Sequence, residues 1–419
     1  MENVYLNRNF LCIDLKSFFA SCECIDKNLD PFKTPLVVAN PNQGSGAITL
    51  AVTPYLKTLE VKSRGRLFEI PKHIKYMIAK PRMNLYIKKS KEVVSVYLKY
   101  VSIEDIHIYS IDECFLDVTD YLKMYKKTDY ELALDILKDV RETTGLYATC
   151  GIGPNMLLAK ISMDIEAKHN NDFIAKWTYD DIPTKLWNIS PLSKMWGIGP
   201  RMEKNLNKLG IYSVKDLAFY DRNKLKNKFG VIGTEIWNHA NGIDLSRIHD
   251  YQKTTDKSYS HSQVLFKDYD GNNIKIIIKE MIDVIAVRMR DNKKLSSVIG
   301  FGIGYSKSVG GGFYHSIKLD NPTDNTDIIF DTCLMIFDKF YEDLPIRKVS
   351  ISCSGLQDKI GVQLNIFESI NDLKKTENIN KTVDEINNKY GKNSLLKASS
   401  LLPDSTIIER NKKVGGHSA

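Results

Sequence analysis

IHIYSIDECFLDV, at 106–118, is the stretch whose reading decides the fold. Two apolar runs, IHIYSI and CFLDV, flank only Asp112 and Glu113. That spacing predicts a tight hairpin whose two carboxylates stand at an outward-facing tip. Upstream, FLCID at 10–14 reads as a buried strand closed by Asp14, and Ser17 opens a helix through Cys24. Residues 31–80 are rich in proline, glycine and basic side chains and read as a small insertion. Met83, Tyr86, Val93, Val94 and Tyr97 recur at helical spacing. Downstream come a helix at about 130–144, a strand at 147–152 and a helix at about 155–168. The order β-α-(insertion)-α-β-β-α-β predicts a split ferredoxin-like layer of helices on an antiparallel sheet, in the α+β class.

Farther along, residues 180–245 are helical and basic, with the loop WGIGP at 196–200 in their midst. Residues 257–355 repeat the β-α-β-β-α-β pattern without a carboxylate pair at the turn, and a polar tail of weak helical character follows Leu356. With 419 residues the chain suits two to four compact units. Its 43% hydrophobic and 26% charged residues are globular proportions that argue against disordered or fibrous classes. No run approaches the roughly 18 apolar residues of a membrane span, and MENVYLNRNF lacks the apolar core of a signal peptide, so a cytoplasmic location is expected. Seven cysteines without a C-x-x-C pair or zinc spacing read as reduced, buried thiols. The net charge of +8 permits a polyanionic partner. Its distribution says more: residues 81–180 carry −3, between blocks of +4 at 1–80 and 181–250.

Asp14, Asp112 and Glu113 form the strongest chemical signal. Two divalent ions need hard oxygen ligands from rigid neighbouring elements, and a strand end beside a hairpin tip supplies them. The bland alternative is a solvated turn at 112–113, with Asp14 as a helix cap. WGIGP, followed by Lys204, Lys208 and Leu209-Gly-Ile211, fits a helix-hairpin-helix, in which Gly197, Ile198 and Gly199 let the backbone approach a DNA phosphate. An ordinary glycine-bearing helix connection is its alternative. Lys57 and Lys160 are placed to neutralise a triphosphate, although a solvated surface lysine is the commoner account of either alone. No G-x-x-x-x-G-K-[ST] loop is present.

Four strings, DLKSFFASCE at 14–23, SIDECFLDVT at 110–119, GIGPNMLLAK at 151–160 and WGIGP, stand in an order and at separations that resemble the Y-family translesion DNA polymerases. Within them the resemblance is to the UmuC-like (ImpB/MucB/SamB) branch, in its Gram-positive UV-damage-repair subtype, and it runs from about residue 8 to 355. It implies a right-hand polymerase: palm at 1–19 and 81–170, small fingers at 20–80, helix-hairpin-helix thumb at 171–243, linker at 244–253, little finger at 254–356 and tail at 357–419. By the same resemblance, Asp14 and Asp112 bridge two magnesium ions, with manganese as a substitute. Glu113 completes the ion that activates the primer 3′-hydroxyl, and the Leu15 carbonyl holds the nucleotide's ion. Phe19 is the steric gate against ribose. Leu15, Ser17, Phe18, Phe19, Lys57 and Lys160 contact the nucleotide, and Gly197, Ile198, Gly199 and Lys204 contact DNA. The tyrosine that often precedes the fingers' basic residue aligns with Pro54, with Tyr55 one place off.

Gln363, Leu364, Ile366 and Phe367 resemble the peptide that binds the bacterial sliding clamp. The implied partners are primer-template DNA, deoxynucleoside triphosphates, the clamp and, as for some UmuC-like enzymes, an accessory subunit, around a monomer. The implied activity is low-fidelity, template-directed synthesis past damaged bases. Rivals from other classes are a catalytically silent clamp- and DNA-binding repair factor and a two-metal nucleotidyl cyclase.

Overall fold

The apolar run at 10–15 is almost wholly enclosed and forms strand β1 (Phe10–Leu15), third of five in the first sheet. The computed structural model describes residues 5–251, 257–359 and 370–418, and the chain divides into one unit that runs to Lys253 and another spanning Thr254–Gly416. In the first unit, β1 is followed by α1 (Phe18–Asp26), β2 (Leu36–Ala39), β3 (Thr49–Val52), α2 (Pro54–Thr58), β4 (Met77–Ala79) and α3 (Met83–Tyr97). Then come β5 (Ile106–Ile108), β6 (Glu113–Asp117), α4 (Leu122–Tyr125), α5 (Asp129–Thr144), β7 (Ala148–Gly153), α6 (Met156–Ser162) and β8 (Ile174–Lys176). The sheet order is β5-β6-β1-β7-β8, with β1 antiparallel to β6 and β7, and β8 parallel to β7. Leaving β8 aside, this is the ferredoxin-like order expected from the element sequence.

Alternation along β1 decides which chemistry meets which helix. Leu11, Ile13 and Leu15 pack with Tyr86, Val93, Val96 and Tyr97 of α3 and Leu132, Ile136 and Val140 of α5. Phe10 and Cys12 point the other way, to Phe115 and to Met156 and Ala159 of α6. Asp14 continues that second face, so it lies on the side covered by α6. The helix comes unusually close there, because β7 offers glycines. A Cβ on Gly151 would sit 2.0 Å from the Ala159 carbonyl oxygen, and one on Gly153 would sit 2.4 Å from the Ala159 nitrogen. Asn155 caps α6 by accepting from the Leu158 amide at 2.8 Å.

Four details differ from the sequence reading. Glu113 is not at an outward tip: it is the first residue of β6 and is buried. The run IHIYSI stops pairing at Ile108, because the amides of Tyr109 and Ser110 both donate to the Glu113 carbonyl at 3.0 Å and draw the loop shut. The palm sheet extends past residue 170, since β8 lies in the segment assigned to the thumb. The boundary at 19/20 cuts α1, whose Phe18, Ala20, Cys22 and Cys24 belong to the palm core. The insertion retains a small sheet of order β3-β2-β4 over its own core of Val37, Val52, Leu56 and Leu67.

The basic helical segment contains α7 (Pro200–Asn207), α8 (Val214–Phe219), α9 (Arg222–Phe229) and α10 (Val231–Ala240), with Leu206, Val214, Leu217, Leu225 and Ile236 in one core. A short α11 (Ile248–Tyr251) lies in the linker segment, and its Ile248 packs beside Phe10 and Phe115 of the palm. The second unit comprises β9 (Tyr259–Tyr269), α12 (Ile274–Asp291), β10 (Lys294–Tyr305), β11 (Gly312–Thr323), α13 (Thr326–Phe340) and β12 (Ile346–Asp358). This is the expected element sequence, yet the sheet order is β11-β10-β12-β9, which puts the first strand at an edge. The tail includes α14 (Ile370–Tyr390), whose Asp384 accepts a forked pair of bonds from Arg290 at 2.6 and 3.0 Å. It also docks through Ser405 and Thr406, which donate to the buried carboxylate of Glu280 in α12. All seven cysteines are buried and unbridged, and no helix among the described residues is long and apolar enough to cross a membrane.

Gly151→Ala is expected to lower unfolding free energy by about 2–3 kcal/mol, because the clash is with backbone. Gly46→Ala, with nothing within 4 Å of its Cβ, is the control, and urea unfolding followed by circular dichroism checks both.

Candidate active site

The site is built by register. In the antiparallel pair of β1 and β6, Asp14 stands directly opposite Glu113, and the Leu15 amide donates to the Asp112 carbonyl at 2.9 Å. Residues paired this way share a sheet face, so Asp14 and Glu113 both lie beneath α6, with Asp112 at the loop end just before β6. Asp112 is steered by Ser110, whose hydroxyl donates to it at 2.6 Å. Burial raises the Asp14 carboxyl to about 6; Lys168 opposes the shift, and the charges of Asp112 and Glu113 add to it.

Lysines compensate this negative charge. Lys160, on α6, reaches Glu113 at 2.7 Å and Asp164 at 3.1 Å, and both ends of the Lys160–Glu113 pair are over 90% shielded. Burial alone would lower the Lys160 ammonium, but the negative groups around it raise it. Breaking such a buried pair from one side costs about 3–5 kcal/mol. The Cys12 thiol donates to Glu113 at 3.3 Å from below. Beyond α6 the helix widens into a π turn over Met163–Ala167, and Lys168 at its end meets Asp164 at 2.7 Å and Asp14 at 3.5 Å. Among the described residues no three acidic, histidine or cysteine side chains close on one point. Glu113 is turned to Lys160 and Asp14 to Lys168, so joint ligation of metal requires the lysines to give way. The donor set itself, three carboxylates at the ends of two paired strands, suits a hard divalent cation.

Of the nucleotide residues named from sequence, Ser17, Phe18 and Phe19 stand at the start of α1. Ser17 holds a left-handed backbone (φ 49°, ψ 44°) as the residue before the helix, and its Oγ is buried without a partner. Phe18 is buried in the palm core, which removes its ring from direct contact with a ligand. Phe19 remains half-exposed and stacks on Tyr86 with ring centroids 4.6 Å apart. Lys57, in α2, is within electrostatic reach of Asp14, Asp112 and Lys168, and desolvation lowers its ammonium. Sequence reasoning missed Lys16 and Lys168. Lys16 donates to the Lys168 carbonyl at 3.4 Å and lies 4.1 Å from the centre of the Phe173 ring. Burial, with repulsion from Lys57, pushes its ammonium down to about 8. The spacing Lys160, Asp164, Lys168, one turn apart each time, is the signal that could have revealed the relay.

In the WGIGP loop, Gly197 has φ +89°, a conformation that disfavours a side chain, and Gly199 precedes α7 with nothing within 4 Å of its Cβ position. Both glycines and Lys204 are exposed. Ile198 is not: it is buried in the thumb core and anchors the loop, so only its backbone remains for a ligand. Gly233, in the partner run at 229–233, serves packing, since its Cβ would meet the Leu225 carbonyl at 2.3 Å. Gln363, Leu364, Ile366 and Phe367 lie outside the described residues.

Three family models match the chain: the impB/mucB/samB family over residues 13–164, its helix-hairpin-helix motif over 179–211 and its C-terminal domain over 256–366. UvrX of Bacillus subtilis, described as a candidate UV-damage repair protein, is 40% identical over 98% of this chain and 97% of its own. DNA polymerase IV 2 of the same organism is 31% identical over 97% of each chain. Among solved structures, a Y-family DNA polymerase chimera of Dbh and Dpo4 superposes with a TM-score of 0.65 at 18% identity, covering 84% of this chain and 99% of that one. That likeness concerns the fold.

A carboxyl raised in the folded chain binds its proton more tightly there than when unfolded. The Asp14 contribution to stability is therefore fully present below the ordinary value of 3.8 and is lost as pH rises through about 6. Magnesium or manganese is expected to offset this loss, raising the melting temperature by a few degrees at about pH 7.5 and by less at about pH 5.5. Asp14→Asn should abolish most of the rise, as read by circular dichroism.

Proposed function

The chain belongs to the impB/mucB/samB family of Y-family DNA polymerases, and from that premise we propose that it is a template-directed DNA polymerase of translesion synthesis working by two-metal nucleotidyl transfer. The main support is the register that sets Asp14 opposite Glu113 with Asp112 at the same strand end. Asp14, Asp112, Glu113 and the Leu15 carbonyl are the oxygen donors for magnesium or manganese, and ions so held would activate the primer 3′-hydroxyl and stabilise the departing pyrophosphate.

The remaining roles fall to the chain's own groups. Lys57, Lys168 and Lys16 surround the acid cluster with cationic charge, a receptor for the triphosphate. Lys160 neutralises Glu113 in this structure and would be released toward phosphate once Glu113 turns away. Phe19 presents a partly exposed ring in the first turn of α1, just after β1 and Asp14, where it would exclude a ribose 2′-hydroxyl. Gly197 and Gly199, with Lys204, offer open backbone and a cation to DNA phosphates. The insertion at 20–80 is small, which supports weak checking of base-pair shape and hence low fidelity. Gln363, Leu364, Ile366 and Phe367 would dock the chain on the bacterial sliding clamp.

Primer extension on undamaged and lesion-bearing templates tests the proposal. The wild type should extend in magnesium, and Asp112→Ala should lose at least about a thousandfold in rate with DNA affinity within about twofold. Parallel loss of affinity would assign Asp112 a structural role. Lys204→Ala should weaken DNA binding on any sequence and reduce the salt slope by about one. Substituting Gln363, Leu364 and Phe367 together should spare basal synthesis and remove stimulation by the clamp.

A further inference from the structure

Behind Phe19 lies a buried polar assembly that the proposed chemistry does not use. Phe19 and Glu23 are four residues apart on α1 and therefore share a face. Arg82 and Tyr86 are likewise four apart where α3 begins, with the Tyr86 amide donating to the Arg82 carbonyl at 3.2 Å. The two pairs face each other rung for rung. Phe19 stacks on Tyr86 at a 20° interplanar angle, and Arg82 grips Glu23 in a fork, Nε to Oε1 at 3.0 Å and Nη2 to Oε2 at 2.7 Å. A diagonal bond closes the square: the Tyr86 hydroxyl donates to Glu23 Oε1 at 2.9 Å. Lys27 adds a contact to Glu23 at 2.7 Å, and Arg82 also reaches Asp26 at 2.7 Å.

Tyr86 is fully buried and the Glu23 side chain nearly so, while Phe19 is not. Burial alone would raise the Glu23 carboxyl, but hydrogen bonds from Arg82, Lys27 and Tyr86 hold it below the ordinary range. The carboxylate thus stays charged, and Tyr86 is pinned at its hydroxyl end as well as by packing. A ring that must exclude one hydroxyl group needs support on the side away from the substrate, since a shift of about 1 Å suffices to admit an oxygen. Tyr86 supplies that support. Without it, a cavity opens behind Phe19, into which the ring can swing by a change of rotamer.

We propose that Tyr86, pinned by the Glu23–Arg82 ion pair, is a positioning residue that fixes the Phe19 ring and thereby sets discrimination between deoxyribose and ribose in the incoming nucleotide. This rests on the assignment of Phe19 as the gate, and the test separates the two. Single-nucleotide incorporation kinetics with matched deoxyribonucleotide and ribonucleotide triphosphates give a selectivity ratio for each variant. Phe19→Ala should reduce the ratio by about a hundredfold or more, Tyr86→Leu by about tenfold, and Tyr86→Phe and Glu23→Gln by a few-fold. In the Tyr86 and Glu23 variants the change should come from faster ribonucleotide incorporation, which general damage to the fold cannot produce.

If Phe19→Ala leaves the ratio unchanged, the gate assignment fails and the positioning role fails with it. If Phe19→Ala opens the site while folded Tyr86 and Glu23 variants keep the wild-type ratio, the gate stands and the positioning role is overturned. Tyr86→Phe retains the ring and its volume, so it decides the matter should Tyr86→Leu not fold.

Discussion

Everything at the site depends on the pairing of β1 with β6. That one register sets Asp14 across from Glu113, ties the Leu15 amide to the Asp112 carbonyl and aims Asp14 and Glu113 at the face covered by α6. A slip of one residue would turn Asp14 into the apolar layer of α3 and α5 and break the cluster. Both strands are buried on both faces, so the hydrophobic core enforces the register, and the chemistry inherits a geometry that packing has already fixed.

A concentrated set of carboxylates must be offset, and lysines from three elements do so. Lys160 comes from α6, Lys168 from the π turn that follows it and Lys57 from the insertion. The close approach of α6 is made possible by Gly151 and Gly153, so two glycines in a strand are as much a part of the electrostatics as the charges themselves. The resulting network of Lys160, Glu113, Asp164, Lys168 and Asp14 holds Glu113 and Asp14 in place.

Much of this was legible in the sequence. The apolar runs on either side of Asp112-Glu113 give the hairpin, and the β-α-β-β-α-β order gives the layer, because both depend on local periodicity. Burial of Glu113 was not legible, since it follows from two amides folding back on one carbonyl. Nor was the edge position of β9, because strand order in the second sheet is set by long-range pairing. Ile198 looked like part of a binding loop and is its anchor, a distinction that only the thumb core makes. The tail read as polar and weakly helical, yet its Asp384 pairs with the partly buried Arg290, and its Ser405 and Thr406 satisfy the buried Glu280, both on α12.

The central claim is that Asp14 and Glu113 leave their lysine partners and, together with Asp112, hold two divalent ions beside an incoming nucleotide. A crystal structure of the chain with primer-template DNA, manganese and a non-hydrolysable deoxynucleoside triphosphate, with anomalous scattering recorded for the metal, tests it most directly. Two anomalous peaks between Asp14 and Asp112, one of them also on Glu113, with Lys160 moved off that carboxylate, are the predicted result. A bound nucleotide with no metal at these carboxylates, and Glu113 still paired with Lys160, would contradict it.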